Sequence, residues 1–137
     1  MINVKVLARI GAEKYYTELT AGKNRIFTDE PVAQGGQNKG LNPFELLAAS
    51  LATCTAATLR MYIDRKGWHV PEIDVEVDMH NYPQSKNTIF MRKISYAEAV
   101  LEGDQLERLH HIADACPIHK ILQGNMEINT VFIEAKS

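Results

Sequence analysis

The sequence predicts an α+β fold in a single domain spanning residues 1–137. Three observations carry that prediction. Short stretches near both ends alternate apolar with polar residues, the period of half-buried strands. One long uncharged helix separates them. The turns between neighbouring strands are short, which suits antiparallel pairing, and the order strand, strand, strand, helix, strand, strand, helix, strand contains no repeating βαβ unit.

In chain order, Ile2, Val4, Val6, Ala8 and Ile10 alternate with Asn3, Lys5, Leu7 and Arg9 and predict a first strand. Gly11-Ala12 is a turn, Tyr15 to Thr20 a second strand, Ala21-Gly22-Lys23-Asn24 another turn, and Arg25 to Thr28 a third strand. Asp29 to Gly40 carries one proline and three glycines, so an ordered but irregular loop is expected there.

The helix from Asn42 to Gly67 has both ends written in. Asn42 caps it, Pro43 suits the first helical position, and Glu45 reaches back to the Asn42 amide as a capping box. Leu41 and Leu46 flank the box as a hydrophobic staple. Arg65 and Lys66 suit the negative pole of the helix dipole, and Gly67 supplies a left-handed stop. Between Glu45 and Arg60 lie fourteen consecutive residues without a charge, so the helix is expected to be buried nearly all round. That run is shorter than the roughly twenty apolar residues a bilayer span needs, which favours the central helix of a soluble core.

Beyond it, Ile73, Val75, Val77 and Met79 alternate with Asp74, Glu76, Asp78 and His80 as a strand. A polar turn over Tyr82 to Asn87 leads to a further strand, Thr88 to Val100, closing a hairpin. Asp104 and Glu107 read as a second capping box, opening a helix that cannot run far past Ala115. Pro117 disfavours helical geometry at Cys116 and starts a new short helix, which ends at Gly124. Ile128 to Ala135 is expected as a closing strand. So few covering elements leave part of the central helix bare, and a second subunit is the simplest cover; a homodimer is expected.

The net charge of −2, with both signs mixed along the chain, offers no electrostatic footprint for nucleic acid or an acidic membrane. The N-terminus lacks the basic segment and apolar stretch of a signal peptide, so a reducing, cytoplasmic location is expected. In that compartment two cysteines point to redox chemistry, metal binding or packing over a structural disulfide.

Cys54 shares one helical stripe with Leu47, Leu51, Thr58 and Met61. Its bland reading is a small buried hydrophobe. More than three turns inside its helix it gains nothing from the dipole, so activation needs a cation. Arg25 is preferred because it immediately precedes the loop into the helix, with Arg9 in reserve. Cys116, near a helix start, is by local electrostatics the more acidic thiol. His110, His111, Cys116 and His119 lie within ten residues, but adjacent histidines on a helix point about a hundred degrees apart, and Cys-x-x-His supplies only two ligands. No metal site is expected.

Gly40-Leu41-Asn42-Pro43-Phe44-Glu45-Leu46-Leu47, then Cys54, then Ala115-Cys116-Pro117-Ile118-His119-Lys120-Ile121-Leu122 resembles the OsmC/Ohr family of thiol-dependent hydroperoxide reductases. Asp29-Glu30-Pro31 with Gly35-Gly36 is similar to its OsmC-like branch. The resemblance implies an intertwined homodimer with two sites lined by both subunits. It implies a peroxidatic Cys54, a resolving Cys116, an organic hydroperoxide substrate, a dithiol reductant of dihydrolipoyl type, and no cofactor, neither metal nor flavin. The family's thiolate-pairing arginine maps to Arg25 only as a preference. Its catalytic glutamate falls one position before Glu45, where this chain has Phe44, and the capping box accounts for Glu45 structurally. Two functions stand: a peroxidase working through a Cys54 sulfenate and a Cys54–Cys116 disulfide, or a noncatalytic dimer holding a small apolar ligand between its central helices.

Overall fold

The computed structural model describes residues 1–134. Three strands open the fold: β1 (Leu7–Ile10), β2 (Thr17–Ala21) and β3 (Asn24–Thr28). They form an antiparallel sheet in the order β1-β2-β3, with Leu7 opposite Thr20 and Thr17 opposite Thr28. Gly22, at φ +60°, and Lys23 make the two-residue connection between β2 and β3, a conformation that suits glycine. The expected first strand is longer than the observed one. Met1 to Val6 lie exposed and outside any strand, because no strand among the described residues pairs with them.

The loop after β3 is organised by one carboxylate. Asp29, 2% exposed, accepts the Tyr15 and Glu30 amides on Oδ1 at 3.2 and 2.8 Å. Its Oδ2 accepts the Gln37 and Lys39 amides at 3.2 and 3.1 Å. Gly36 is required beside it, since a Cβ there would fall 2.1 Å from the Glu30 carbonyl oxygen. A single 3-10 turn at Val32–Gln34 completes the loop. Leu41 is pinned to Thr28 by a parallel bridge and an Asp29 amide bond at 3.2 Å.

The long helix α1 runs Pro43–Lys66. The Asn42 amide donates to Glu45 Oε1 and the Glu45 amide to Asn42 Oδ1, both at 2.9 Å, closing the expected capping box. At the other end the Gly67 amide donates to the Asp64 carbonyl at 3.1 Å and the Trp68 amide to Ile63 at 3.2 Å. With Gly67 at φ +71°, these bonds form a Schellman stop. On length and composition α1 is long and apolar enough to cross a bilayer.

Within the chain α1 is covered on one side only, against the expectation of burial all round. Leu51, Thr55, Leu59, Tyr62 and Ile63 are buried, whereas Phe44 is 61% and Met61 66% exposed. The charge-free run did not resolve which of its faces the chain itself covers.

Strands β4 (Glu72–Tyr82) and β5 (Asn87–Ala97) form a separate two-stranded antiparallel sheet. Ile73, Val75, Val77 and Met79 are each half-buried between exposed neighbours, as their alternation predicts. The fifth strand stops before Val100, and Glu98 just beyond it takes φ +54°. Helix α2 (Gly103–Asp114) starts earlier than expected. Its cap is Glu102, whose amide donates to Gln105 Oε1 at 2.7 Å, in place of the Asp104 and Glu107 pair. Helix α3 (Pro117–Leu122) follows with Cys116 as N-cap and Pro117 at its first position.

The expected closing strand is absent among the described residues. Ile128 to Glu134 are exposed and unpaired, Phe132 at 97%, and Ala135 lies outside the described residues.

The chain divides into two compact units: Met1–Ala52 with Glu76–Lys93, and Thr53–Val75 with Ile94 onward. The first buries few side chains, chiefly Thr28, Asp29 and Leu51, and relies on strand pairing and the Asp29 network. The second has an apolar core of Leu59, Tyr62, Ile63, Val70, Leu109 and Ala113.

Candidate functional site

Both cysteines belong to the second unit, and both are free thiols. Cys54 lies in the body of α1 and is half-buried, at the border between the covered side of the helix and the apolar side that carries Met61. Cys116 is 0% exposed. Its position follows from Pro117, which breaks the helical path after α2 and leaves Cys116 extended, at φ −55° and ψ 130°, before α3. The turn brings the Cys116 sulfur to the side of α1, where it meets Cys54 in a thiol–thiol hydrogen bond.

Two hydroxyls and two amides complete the cluster. The Thr55 hydroxyl donates to Cys116, and the Thr58 hydroxyl donates to Cys54. The Ile118 amide donates to both sulfurs and the His119 amide to Cys116. These amides sit in the first turn of α3, where the helix has no partner of its own for them. The threonine donors were not singled out from sequence. Their signal was present, since residues one and four positions beyond Cys54 flank it on α1.

The environment splits the two thiols. Burial pushes Cys54 up, its hydrogen bond to Cys116 pushes the same way, and the Ile118 and Thr58 bonds offset this only in part. Burial pushes Cys116 up as well, yet the bonds from Cys54, His119, Thr55 and Ile118 outweigh it and bring Cys116 below the ordinary thiol value. None of the largest influences on Cys54 is a cation.

Arg25 and Glu45 lie in the first unit. Arg25, on β3, pairs with Glu18 at 3.7 Å and lies over the Phe27 ring at 5.6 Å. Glu45 is held in the α1 capping box. Of the histidines, His119 Nδ1 is 4.0 Å from Asp114 Oδ1, and its Nε2 shares a 3.1 Å hydrogen bond with Gln123 Oε1. His110 Nε2 lies 4.0 Å from Asp114 Oδ2. No group of three or more His, Cys, Asp or Glu among the described residues is placed to hold a metal ion.

Chemically, the pair joins one thiol that is half-exposed to solvent to one that is fully buried beside it. Closing a sulfur–sulfur bond between them removes two protons and two electrons from the two thiols, and the electrons pass to an external oxidant.

Known proteins share sequence and fold with this chain. The family model for OsmC-like protein matches residues 36–131, a span that includes both cysteines. Organic hydroperoxide resistance protein-like 1 of Staphylococcus saprophyticus is 26% identical over 123 residues, 80% of this chain and 87% of that protein. The solved OsmC-like protein of Mycoplasma pneumoniae aligns with a TM-score of 0.70 at 17% identity, covering 90% of this chain and 89% of its own. The organic hydroperoxide resistance protein OhrB of Bacillus subtilis aligns at 0.59 with 23% identity, covering 90% and 93%. The fold is shared with both, and with the family match running over most of its length, this chain belongs to the OsmC-like protein family.

Proposed function

We propose that this chain is a cysteine-dependent peroxidase that reduces organic hydroperoxides. The carrying observation is the contact between the half-exposed Cys54 and the fully buried Cys116. Cys54 is the sulfur a peroxide can reach. As a thiolate it attacks the O–O bond, releases an alcohol and becomes a sulfenic acid. Cys116 condenses with it to a disulfide, which an external dithiol of dihydrolipoyl type reduces by exchange. The apolar side of α1 beside Cys54 favours an alkyl peroxide over hydrogen peroxide. The name of the staphylococcal relative supports the same substrate class.

The active form in this reading is a homodimer in a reducing, cytoplasmic setting. Its subunits cover the apolar side of α1 and the exposed segments Met1 to Val6 and Ile128 to Ile133. Arg25, with Arg9 in reserve, is the cation proposed to stabilise the Cys54 thiolate in the assembled site. Glu45 keeps a place in the proposed site, although its hydrogen bonds support the capping role first.

The test is peroxide consumption by two variants. Cys54→Ser abolishes turnover while leaving the oligomer intact. Cys116→Ser permits one turnover and then leaves Cys54 open to overoxidation. Full activity in both variants would overturn the redox assignment in favour of a noncatalytic dimer holding a small apolar ligand.

A further inference from the structure

Away from the thiols, α1 stops at Gly67 and the chain turns into Trp68, the only tryptophan of the sequence. Lys66, the last residue of α1, stands ~18 Å along the helix axis beyond Cys54. A cavity of about 330 Å³ opens at this turn, lined by Trp68, His69, Glu98, Val100, Leu101 and Gln105. All six residues belong to the second unit. The volume lies at the small end of the range for ligand sites.

The cavity has an apolar floor and a polar rim. Trp68 and Leu101 pack against the apolar core, and the Tyr62 and Trp68 rings meet edge-on, 5.7 Å apart with 75° between their planes. The Gln105 side chain is fixed through its Oε1, which accepts the Glu102 amide at 2.7 Å. At the rim stand Glu98 and His69, both exposed. Glu98 takes φ +54°, a left-handed conformation that residues other than glycine seldom adopt and that recurs at ligand sites. It is the only carboxylate of the lining. The neighbouring cations are engaged by Tyr62: Arg108 Nε donates to its hydroxyl at 3.1 Å, and Arg65 and Lys66 lie over its ring at 6.0 and 5.6 Å.

We propose that this cavity binds a small alkylammonium cation. An indole beside a carboxylate is complementary to one kind of ligand, a positive charge carried on apolar groups. The π surface of Trp68 attracts the cation, Glu98 supplies the counter-charge, and Val100 and Leu101 cover methyl or methylene groups. His69 and Gln105 offer hydrogen bonds to a hydroxyl or an ammonium N–H. A neutral ligand of the same shape forgoes both electrostatic contacts, and an anion meets the Glu98 carboxylate at close range, so the site discriminates by charge. The ligand is bound and not transformed, and the site is independent of the peroxidase reading above.

The experiment compares three probes of one shape and different charge on the full-length protein: choline, its neutral isostere 3,3-dimethylbutan-1-ol, and the anion 3,3-dimethylbutanoate. Trp68, as the sole tryptophan, reports binding at the cavity by its fluorescence, and calorimetry measures affinity in the variants. Choline should change the Trp68 emission saturably and bind roughly tenfold more tightly than the neutral alcohol, with the anion weaker still. Glu98→Gln should weaken choline roughly fivefold and leave the alcohol unchanged. Trp68→Leu should abolish the preference for choline over the alcohol. Absence of a saturable choline response overturns the proposal, as does an alcohol or an anion that binds as tightly as choline. A Glu98→Gln protein that binds choline like wild type overturns it as well. Trp68 packs on the core, whereas Glu98 is exposed, so the Glu98→Gln comparison keeps the test decisive if Trp68→Leu does not fold.

Discussion

Asp29 shows how much a single side chain can organise where there is little core. Its two oxygens take four backbone amides from three stretches of the first unit. Burial pushes its carboxyl up, but those four bonds prevail and hold it below the usual carboxylate value. A depressed folded value means that the stabilisation is complete above the unfolded value of about 3.9 and is lost as pH falls through the lower folded one. In Asp29→Asn one side-chain atom becomes a donor and two amides lose their acceptor. The variant should melt at a lower temperature than wild type at neutral pH. Its acid-side stability profile should also be flatter, and its loop amides should exchange faster with solvent. Unchanged melting and exchange would show that the loop is held by other means. None of this network was legible beforehand: the sequence marked an irregular loop through its glycines, but four amides converging on one carboxylate is a tertiary fact. Cys116 was the opposite case, because Pro117 fixes its backbone locally and places it at the start of α3, as its position in the sequence predicts.

At the scale of elements, local signals did best where the pattern was unambiguous. Asn42, Pro43, Glu45 and Gly67 set both ends of α1, and the hydrogen bonds lie where those residues predict. Asn42→Ala should cost about 1 kcal/mol in chemical denaturation. Glu45→Gln, which keeps a side-chain acceptor, should leave stability near wild type. If Glu45→Gln instead removes peroxide reduction while the protein stays folded, Glu45 has a chemical role beyond its cap. The start of α2 was misread because two overlapping patterns compete there, and the less common cap residue, Glu102, is the one used. The terminal strands were overextended for a different reason. Alternation in Ile2 to Val6 and Ile128 to Ile133 marks a capacity to pair, but a strand needs a neighbour.

For the whole molecule, the unpaired ends and the bare side of α1 point the same way. Large apolar residues remain exposed there, Phe44 and Met61 on the helix and Phe132 near the end of the described chain. Exposed apolar side chains of that size suit an interaction surface, and a second copy of the chain is the occupant that the proposed function requires. Sedimentation should give twice the chain mass of 15.4 kDa. Met61→Glu, which places a charge on the uncovered face, should shift the protein toward monomer while the Leu59 and Leu109 core keeps the chain folded. A wild-type monomer would remove the dimer from this account. Composition told correctly that the long helix exceeds what the rest of the chain can cover, but which face stays bare depended on how α2 and α3 pack.

The central claim is that Cys54 and Cys116 act as one redox pair, and it is tested most directly by peptide-resolved mass spectrometry. The reduced protein is given one equivalent of an organic hydroperoxide per chain, and its thiols are trapped quickly. A Cys54–Cys116 disulfide formed within seconds is the predicted result. Two unmodified thiols after minutes would contradict it, leaving Cys54 as a packing residue in a chain that kept the fold without the chemistry.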